Sequence, residues 1–218
     1  MYKTLSNAYY SVESYKIKSN SQLKQDLHVI NYYKGKKNGF YIELGAHDGI
    51  HISNTLLLEN KYDWTGILIE PSNTTFKELV KNRPNNINVN SAVYSVDGKK
   101  VIFEEKVEST VSGIKTDLSG QFKDSDKRSE YEKITKTLTT ILDENNAPSF
   151  IDYLSLDTEG SELEILKGID FSKYKIGYID VEHNYKQPRR RDIKKLLISN
   201  GYTYLGKNKW DDVYVLKK

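Results

Sequence analysis

The run Phe40-Tyr41-Ile42-Glu43-Leu44-Gly45-Ala46-His47-Asp48-Gly49 decides the fold. Its first half is apolar with one acid, the reading of a strand buried on both faces. Two glycines follow at once. Ser53 is then placed to cap a helix through Leu56, Leu57 and Leu58. Strand, glycine turn and helix in that order open a β-α-β unit.

The same alternation recurs outward from this run. Gly66-Ile67-Leu68-Ile69 reads as a second strand ending at Glu70-Pro71, and residues 73–82 as a helix stopped by Pro84. Ile87 to Val93 reads as a third strand and Ile151 to Leu156 as a fourth, ending at Asp157. Ser161 to Lys167 is a short helix closed by Gly168. Ile176 to Val181 is a fifth strand, ending at Glu182-His183-Asn184. A helix over 190–199 follows Pro188, and 202–205 with 212–216 form a closing hairpin. Upstream, Leu23, Leu27 and Ile30 predict a helix within 21–34, with Ser21 as cap. Residues 97–138 break the pattern. Only Val101-Ile102-Phe103 reads as strand there; 109–113 reads as a small-residue loop, and 115–133 as a charged, weakly periodic excursion. The expected fold is α/β: a Rossmann-like, mostly parallel sheet with a C-terminal antiparallel hairpin and helices on both faces. One domain spanning 1–218 is expected.

Composition narrows the function. The chain has 218 residues, no cysteine and a formal charge of +3. Disulfides, thiolate zinc sites and cysteine nucleophiles are therefore excluded. The charges are interspersed, which argues against a nucleic-acid partner. No apolar run suits a membrane span, and residues 1–20 lack the apolar stretch of a secretory signal, so a cytoplasmic location is expected. Homo-oligomerisation stays open. Arginine occurs only at 83, 128, 189, 190 and 191. The 189–191 cluster is either a solvated helix start or a grip for a phosphate or carboxylate on the acceptor.

In open α/β sheets, ligands bind beyond the carboxyl ends of the strands. Gly45 and Gly49 allow a tight turn and a close ligand approach. Glu70, at the end of strand two, is placed to accept the hydroxyls of an adenosine ribose. A dinucleotide fingerprint would need a third glycine; Ala46-His47-Asp48 stands there instead. Asp48 and Glu43 would repel a pyrophosphate but suit an ammonium and a sulfonium. S-adenosylmethionine fits that charge pattern and NAD does not. Asn90, Ser91 and Ala92 end strand three, where the adenine is expected. Asp157, Glu159, Glu182, His183 and Asn184 end strands four and five. Three readings stay open for them: a Mg²⁺, Mn²⁺ or Ca²⁺ site, an acid/base cluster with His183 as base, or acids that merely charge a helix N-terminus.

Several motifs together resemble the FkbM-like family of S-adenosylmethionine-dependent methyltransferases. They are Ser21-Gln22 with Gln25-Asp26, Glu43-Leu44-Gly45-Ala46-His47-Asp48-Gly49, Ser53-Asn54-Thr55, Trp64-x-Gly66-Ile67-Leu68-Ile69-Glu70-Pro71, Asp152 to Glu162, and Val181-Glu182-His183-Asn184. The resemblance covers about residues 21–216. It implies a Rossmann-like methyltransferase sheet and O-methylation of sugar or polyketide-type hydroxyls. The cofactor residues expected from it and from the strand ends are Gln22, Glu43, Gly45, Ala46, His47, Asp48, Gly49, Asn54, Glu70, Pro71, Asn90, Ser91, Ala92 and Asp157. Asp157, Glu159, Glu182 and His183 are the expected catalytic groups. Asp157, Glu182, His183 and Asn184 are the expected ligands of an optional Mg²⁺ or Mn²⁺. Residues 1–34 are expected to lie over the cofactor as a helical lid, and 97–138 to shape the acceptor site. The acceptor is expected to be a small molecule or glycan. A non-catalytic Rossmann-like binding subunit and an NAD-linked oxidoreductase are the alternatives.

Overall fold

The structure, a computed structural model, describes residues 17–106, 112–118 and 128–217. Its larger sheet has seven strands. Five are parallel: β3 (Ile87–Val89), β2 (Thr65–Ile69), β1 (Phe40–Leu44), β8 (Phe150–Leu156) and β9 (Lys175–Glu182), in that spatial order. β11 (Asp211–Leu216) adds antiparallel to β9, and β10 (Tyr202–Asn208) pairs with β11 at the edge. The expected mostly parallel sheet with a C-terminal hairpin is therefore the fold.

The central strands form because their side chains have core on both sides. Ile42, Leu44, Ile67, Ile69, Leu154 and Ile179 pack on one face with Ile141, Ile165 and Leu197. Tyr41, Leu68, Tyr153 and Tyr178 pack on the other with Leu27, Leu58, Trp64 and Leu79. The first group of helices is α4 (Leu138–Glu144), α5 (Glu162–Lys167) and α6 (Arg189–Ser199). The second is α1 (Gln25–Tyr32), α2 (Leu56–Tyr62) and α3 (Asn73–Asn82). Among the described residues no helix is long and apolar enough to cross a membrane.

Four expectations need correction. The third strand is not continuous: β3 stops at Val89, and Ala92–Val93 forms β4 in a second sheet. That sheet has the order β4-β7-β5-β6, with β5 (Lys100–Lys106), β6 (Ser112–Ile114) and β7 (Arg128–Lys136). Residues 128–133 are thus strand, held by six register pairs to β5, rather than excursion. Of the loop expected at 109–113, Ser112 and Gly113 belong to β6, and 109–111 lie outside the described residues, as do 119–127. Ser21 is not the N-cap residue of α1, which is Lys24; its hydroxyl donates to the Asp26 carboxylate and accepts the Asp26 N–H in the first turn, and the helix begins at Gln25.

Candidate active site

A cavity of about 450 Å³ lies over the carboxyl ends of the parallel strands, within the usual size of ligand clefts. Its lining runs from the end of β2 (Glu70, Pro71), past the end of β1 (Glu43 to His47), to the ends of β8 and β9 (Asp157, Glu159, Glu182, Asn184). The second sheet covers it with Phe103, Ser112, Gly113 and Ile114.

The β1 loop is built from behind. Gly45 has φ +78°, and a Cβ there would lie 1.9 Å from the Asp157 carbonyl oxygen. The close neighbour that demands glycine is therefore β8, not a ligand. At Gly49, φ +77°, a Cβ would strike Arg83 and Leu79 of the α3 segment, and Gly49 does not line the cavity. Asp48 also turns away. Its carboxylate accepts the backbone N–H groups of Ile50 and His51 at 2.9 and 2.8 Å, closing the loop. The expectation that Asp48 faces an ammonium is corrected by that bonding.

Glu43 anchors the next turn. It accepts from Asn54 N–H (2.7 Å), Ser53 Oγ (3.0 Å) and Thr55 Oγ1 (2.5 Å). Arg83, 1% exposed, supplies the countercharge. Its guanidinium also donates to the Gly49 carbonyl, the Tyr41 hydroxyl, Ser53, Thr55 and Glu59. Sequence reading missed Arg83 altogether. Asn54 donates to Ser155 Oγ at 2.9 Å, while its Oδ1 is buried at the cavity without a partner.

Glu70 accepts the backbone N–H of His47 (2.9 Å) and of Ser72 (2.7 Å), which fix its carboxyl at the cavity wall. Burial pushes it up to about 7, against the pull of those two bonds. Beyond it, Ser91, Ala92, Val93, Phe103 and Ile114 make the apolar end of the cavity. Asn90 does not line it. Its amide donates to the carbonyls of Glu70, Pro71 and Ser72, and its oxygen accepts from Lys133, so it is a brace for this wall. The excursion expected at the acceptor site thus contributes Phe103 and Ile114 to the end near β4.

The opposite end is acidic. Asp157, Glu159 and Glu182 bring carboxylate oxygens within 4.8 Å of one another. Burial pushes Asp157 far up, and Glu159, Asp211 and Glu162 add repulsion. Glu182 is driven far up by burial first and then by Asp157 and Glu159. Its Oε2 is buried without a partner. Asp211, behind the cluster, is pushed up to about 8 by burial and then by Asp180. Trp210 and Gln22 close this end.

His183 does not join the cluster. It is 1% exposed; its Nδ1 accepts the Tyr185 N–H at 2.9 Å, and its Nε2 stands 3.6 Å from Asp212. Burial lowers it to about 4, so the ring is neutral and faces the Arg190–Asp212 pair. The assignment of His183 as base or metal ligand is corrected on that geometry. The arginine run is structural too. Arg190 is bidentate to Asp212 at 2.8 and 2.7 Å, and Arg189 donates to the Gly160 carbonyl at 2.6 Å, bracing the loop that carries Asp157 and Glu159. Arg191 alone is exposed, beside Asp192.

Fold and site define the class first: a Rossmann-like α/β sheet of the methyltransferase kind, with its cavity at the strand ends. The domain model described as "Methyltransferase FkbM domain" matches residues 43–204, and the chain belongs to the FkbM methyltransferase family. The METTL16 methyltransferase domain superposes with a TM-score of 0.51 at 13% identity, covering 90% of this chain and 66% of that one. The methyltransferase FkbM from Methylobacillus flagellatus KT superposes with a TM-score of 0.50 at 14% identity, covering 93% and 56%. The chain therefore spans about two thirds and just over half of those two proteins. No curated protein matches the sequence.

Proposed function

We propose that the chain is an S-adenosylmethionine-dependent O-methyltransferase acting on a hydroxyl of a sugar or glycan. The observation that carries this reading is a cavity sorted by chemistry: apolar beyond Glu70, and lined by buried carboxylates at the other end. The residues fit the cofactor. An adenine suits the slot between Ala92, Val93, Phe103 and Ile114; a ribose suits Glu70; an ammonium suits the unpartnered Asn54 Oδ1 and Asp157. When bound, S-adenosylmethionine supplies the methyl group that the acceptor oxygen takes up as the carbon–sulfur bond breaks.

The chain's own residues do the rest. A protonated hydroxyl is a weak nucleophile and needs a base at contact distance. Asp157, Glu159 and Glu182 line the acidic end of the cavity with their carboxyl oxygens close together, and this cluster supplies that base. Phe103 and Ile114 keep water from the apolar end. Gln22 closes the mouth, and its segment is tied down on several sides. Gln25 donates to Asp211 at 2.8 Å and accepts the Leu23 N–H; Asn208 donates to the Leu23 carbonyl; Asp26 accepts from Ser19 and Ser21. We place the described part of the expected lid here; residues 1–16 lie outside the described residues.

A second reading rests on the spacing of Asp157, Glu159 and Glu182, which also suits a hard divalent ion such as Mg²⁺ or Mn²⁺ with Asn184 as neighbour. Calorimetric titration with S-adenosylhomocysteine and with NADH tests the cofactor. Micromolar binding of the first and none of the second is expected; the reverse would overturn the reading.

A further inference from the structure

The lining of the cavity contains the carboxylates Glu43, Glu70, Asp157, Glu159 and Glu182, and no lysine or arginine among its described residues. Glu43 has Arg83 behind it, and Glu70 has Lys133. The charged groups that weigh most on Glu182 are Asp157, Glu159, Glu162 and Asp211, all acids. Glu182 is 6% exposed, and its Oε2 has no hydrogen-bond partner although it lines the cavity. A buried acceptor atom of that kind calls for a donor, and a buried group of carboxylates calls for positive charge. Trp210 adds an aromatic ring at the same end, with Lys209 Nζ 5.4 Å from its centroid. A ring offers nothing to a hard metal ion but attracts an ammonium group.

Resting on the methyltransferase reading above, we propose that the acceptor carries an amino group, held as an ammonium by Glu182, Glu159 and Trp210 beside the hydroxyl that is methylated. The class of substrate is an amino sugar or another amino alcohol. Held in this way the nitrogen has no free electron pair and does not compete for the methyl group. Phosphorylated and carboxylated acceptors are repelled by the carboxylates that line this end; behind them Arg189 pairs with Glu162 at 3.4 Å and Arg190 with Asp212.

The test titrates the S-adenosylhomocysteine-loaded protein with glucosamine, glucose, N-acetylglucosamine and glucose 6-phosphate, following the indole N–H signal of Trp210 by NMR. The second tryptophan, Trp64, is buried and donates to the Lys36 carbonyl, so it serves as the internal reference. Glucosamine is expected to shift the Trp210 signal at about one tenth or less of the concentration needed for glucose or N-acetylglucosamine, the ratio of one charge-assisted hydrogen bond. Glu182→Gln and Glu159→Gln should each abolish that preference in protein that still binds S-adenosylhomocysteine. Equal shifts from all four sugars, no shift from any, or a preference for the phosphate would overturn the proposal. So would Mg²⁺ or Mn²⁺ alone shifting the signal and displacing glucosamine, which would assign the cluster to a metal. Failure of S-adenosylhomocysteine to bind would instead defeat the methyltransferase reading.

Discussion

Glu70 allows the cofactor reading to be tested through pH. Its carboxyl is held at about 7 by burial, although the N–H groups of His47 and Ser72 favour the charged form. A ribose donates its hydroxyls far more strongly to the ionised carboxylate than to the neutral acid. At pH 6 roughly one molecule in ten carries that charge, and at pH 8 roughly nine in ten, so affinity for S-adenosylhomocysteine should rise about tenfold across this interval. Glu70→Gln removes the titration. It also turns an amide NH₂ toward one of two backbone donors and loses the charge-assisted bonds, which together should cost about 1.5–3 kcal/mol of binding at pH 8. Calorimetry on both proteins at pH 6, 7 and 8 checks this, because other groups, the ligand's own amine included, titrate alike in each. If the two proteins have parallel pH profiles, Glu70 does not hold the ribose.

Arg83→Met should lower stability by about 3–5 kcal/mol in urea unfolding, because Glu43 and Glu59 are left buried without their partner; an unchanged midpoint would show that Arg83 is dispensable. Asp180 is raised from 3.8 to about 7 by burial, so the fold holds its proton in that window and loses stability as pH rises through it. Asp180→Asn, which keeps an acceptor for the Tyr153 hydroxyl, should lessen the fall of urea stability between pH 5 and 8, to which Glu70 and Asp211 also contribute; an unchanged slope would show that Asp180 does not titrate there. His183→Asn should leave the pH profile of methyl transfer unaltered once an acceptor is in hand, and loss of a limb near the ordinary histidine value of about 6.5 would restore His183 as the base.

How much of this was legible in the sequence depends on where each residue's partners lie. β1, β2, β8 and β9 were readable because they are buried on both faces and so are almost continuously apolar. β7 was not. Its nine residues, Arg128 to Lys136, present mostly exposed or half-buried side chains, with Thr135 the buried one, so no hydrophobic period marks it. Its identity as a strand comes from pairing with β5, about thirty residues earlier in the chain. Arg83 was invisible for a similar reason: Glu43, Ser53 and Glu59 lie 24 to 40 residues away along the chain and meet only in the folded state.

The misplacement of His183 is different, because the signal was present. Glu182-His183-Asn184 leaves the end of β9, and successive side chains of an extended segment point to opposite sides. Glu182, the last residue of β9, faces the cavity, so His183 points away from it; Asn184 lies in the turn beyond the strand, with φ +45°, which brings it back. Glu182 and Asn184 line the cavity, and His183 packs against the Arg190–Asp212 pair. Residue type had suggested that all three act at one point; the period of two separates them. The same rule carries a consequence for Asp211 and Asp212, which face Glu182 and Val181 across the antiparallel register. Asp212 joins His183 and Arg190 on the structural side, fully paired. Asp211 falls on the side of Glu182, where it receives Gln25 and adds its charge to the cluster. The segment that presents Gln22 is thus tied to the same group of acids. Closure of the mouth and charge at the β9 end are then linked through one hydrogen bond, and Gln25→Leu should weaken glucosamine binding at Trp210 although Gln25 is not among the residues that line the cavity.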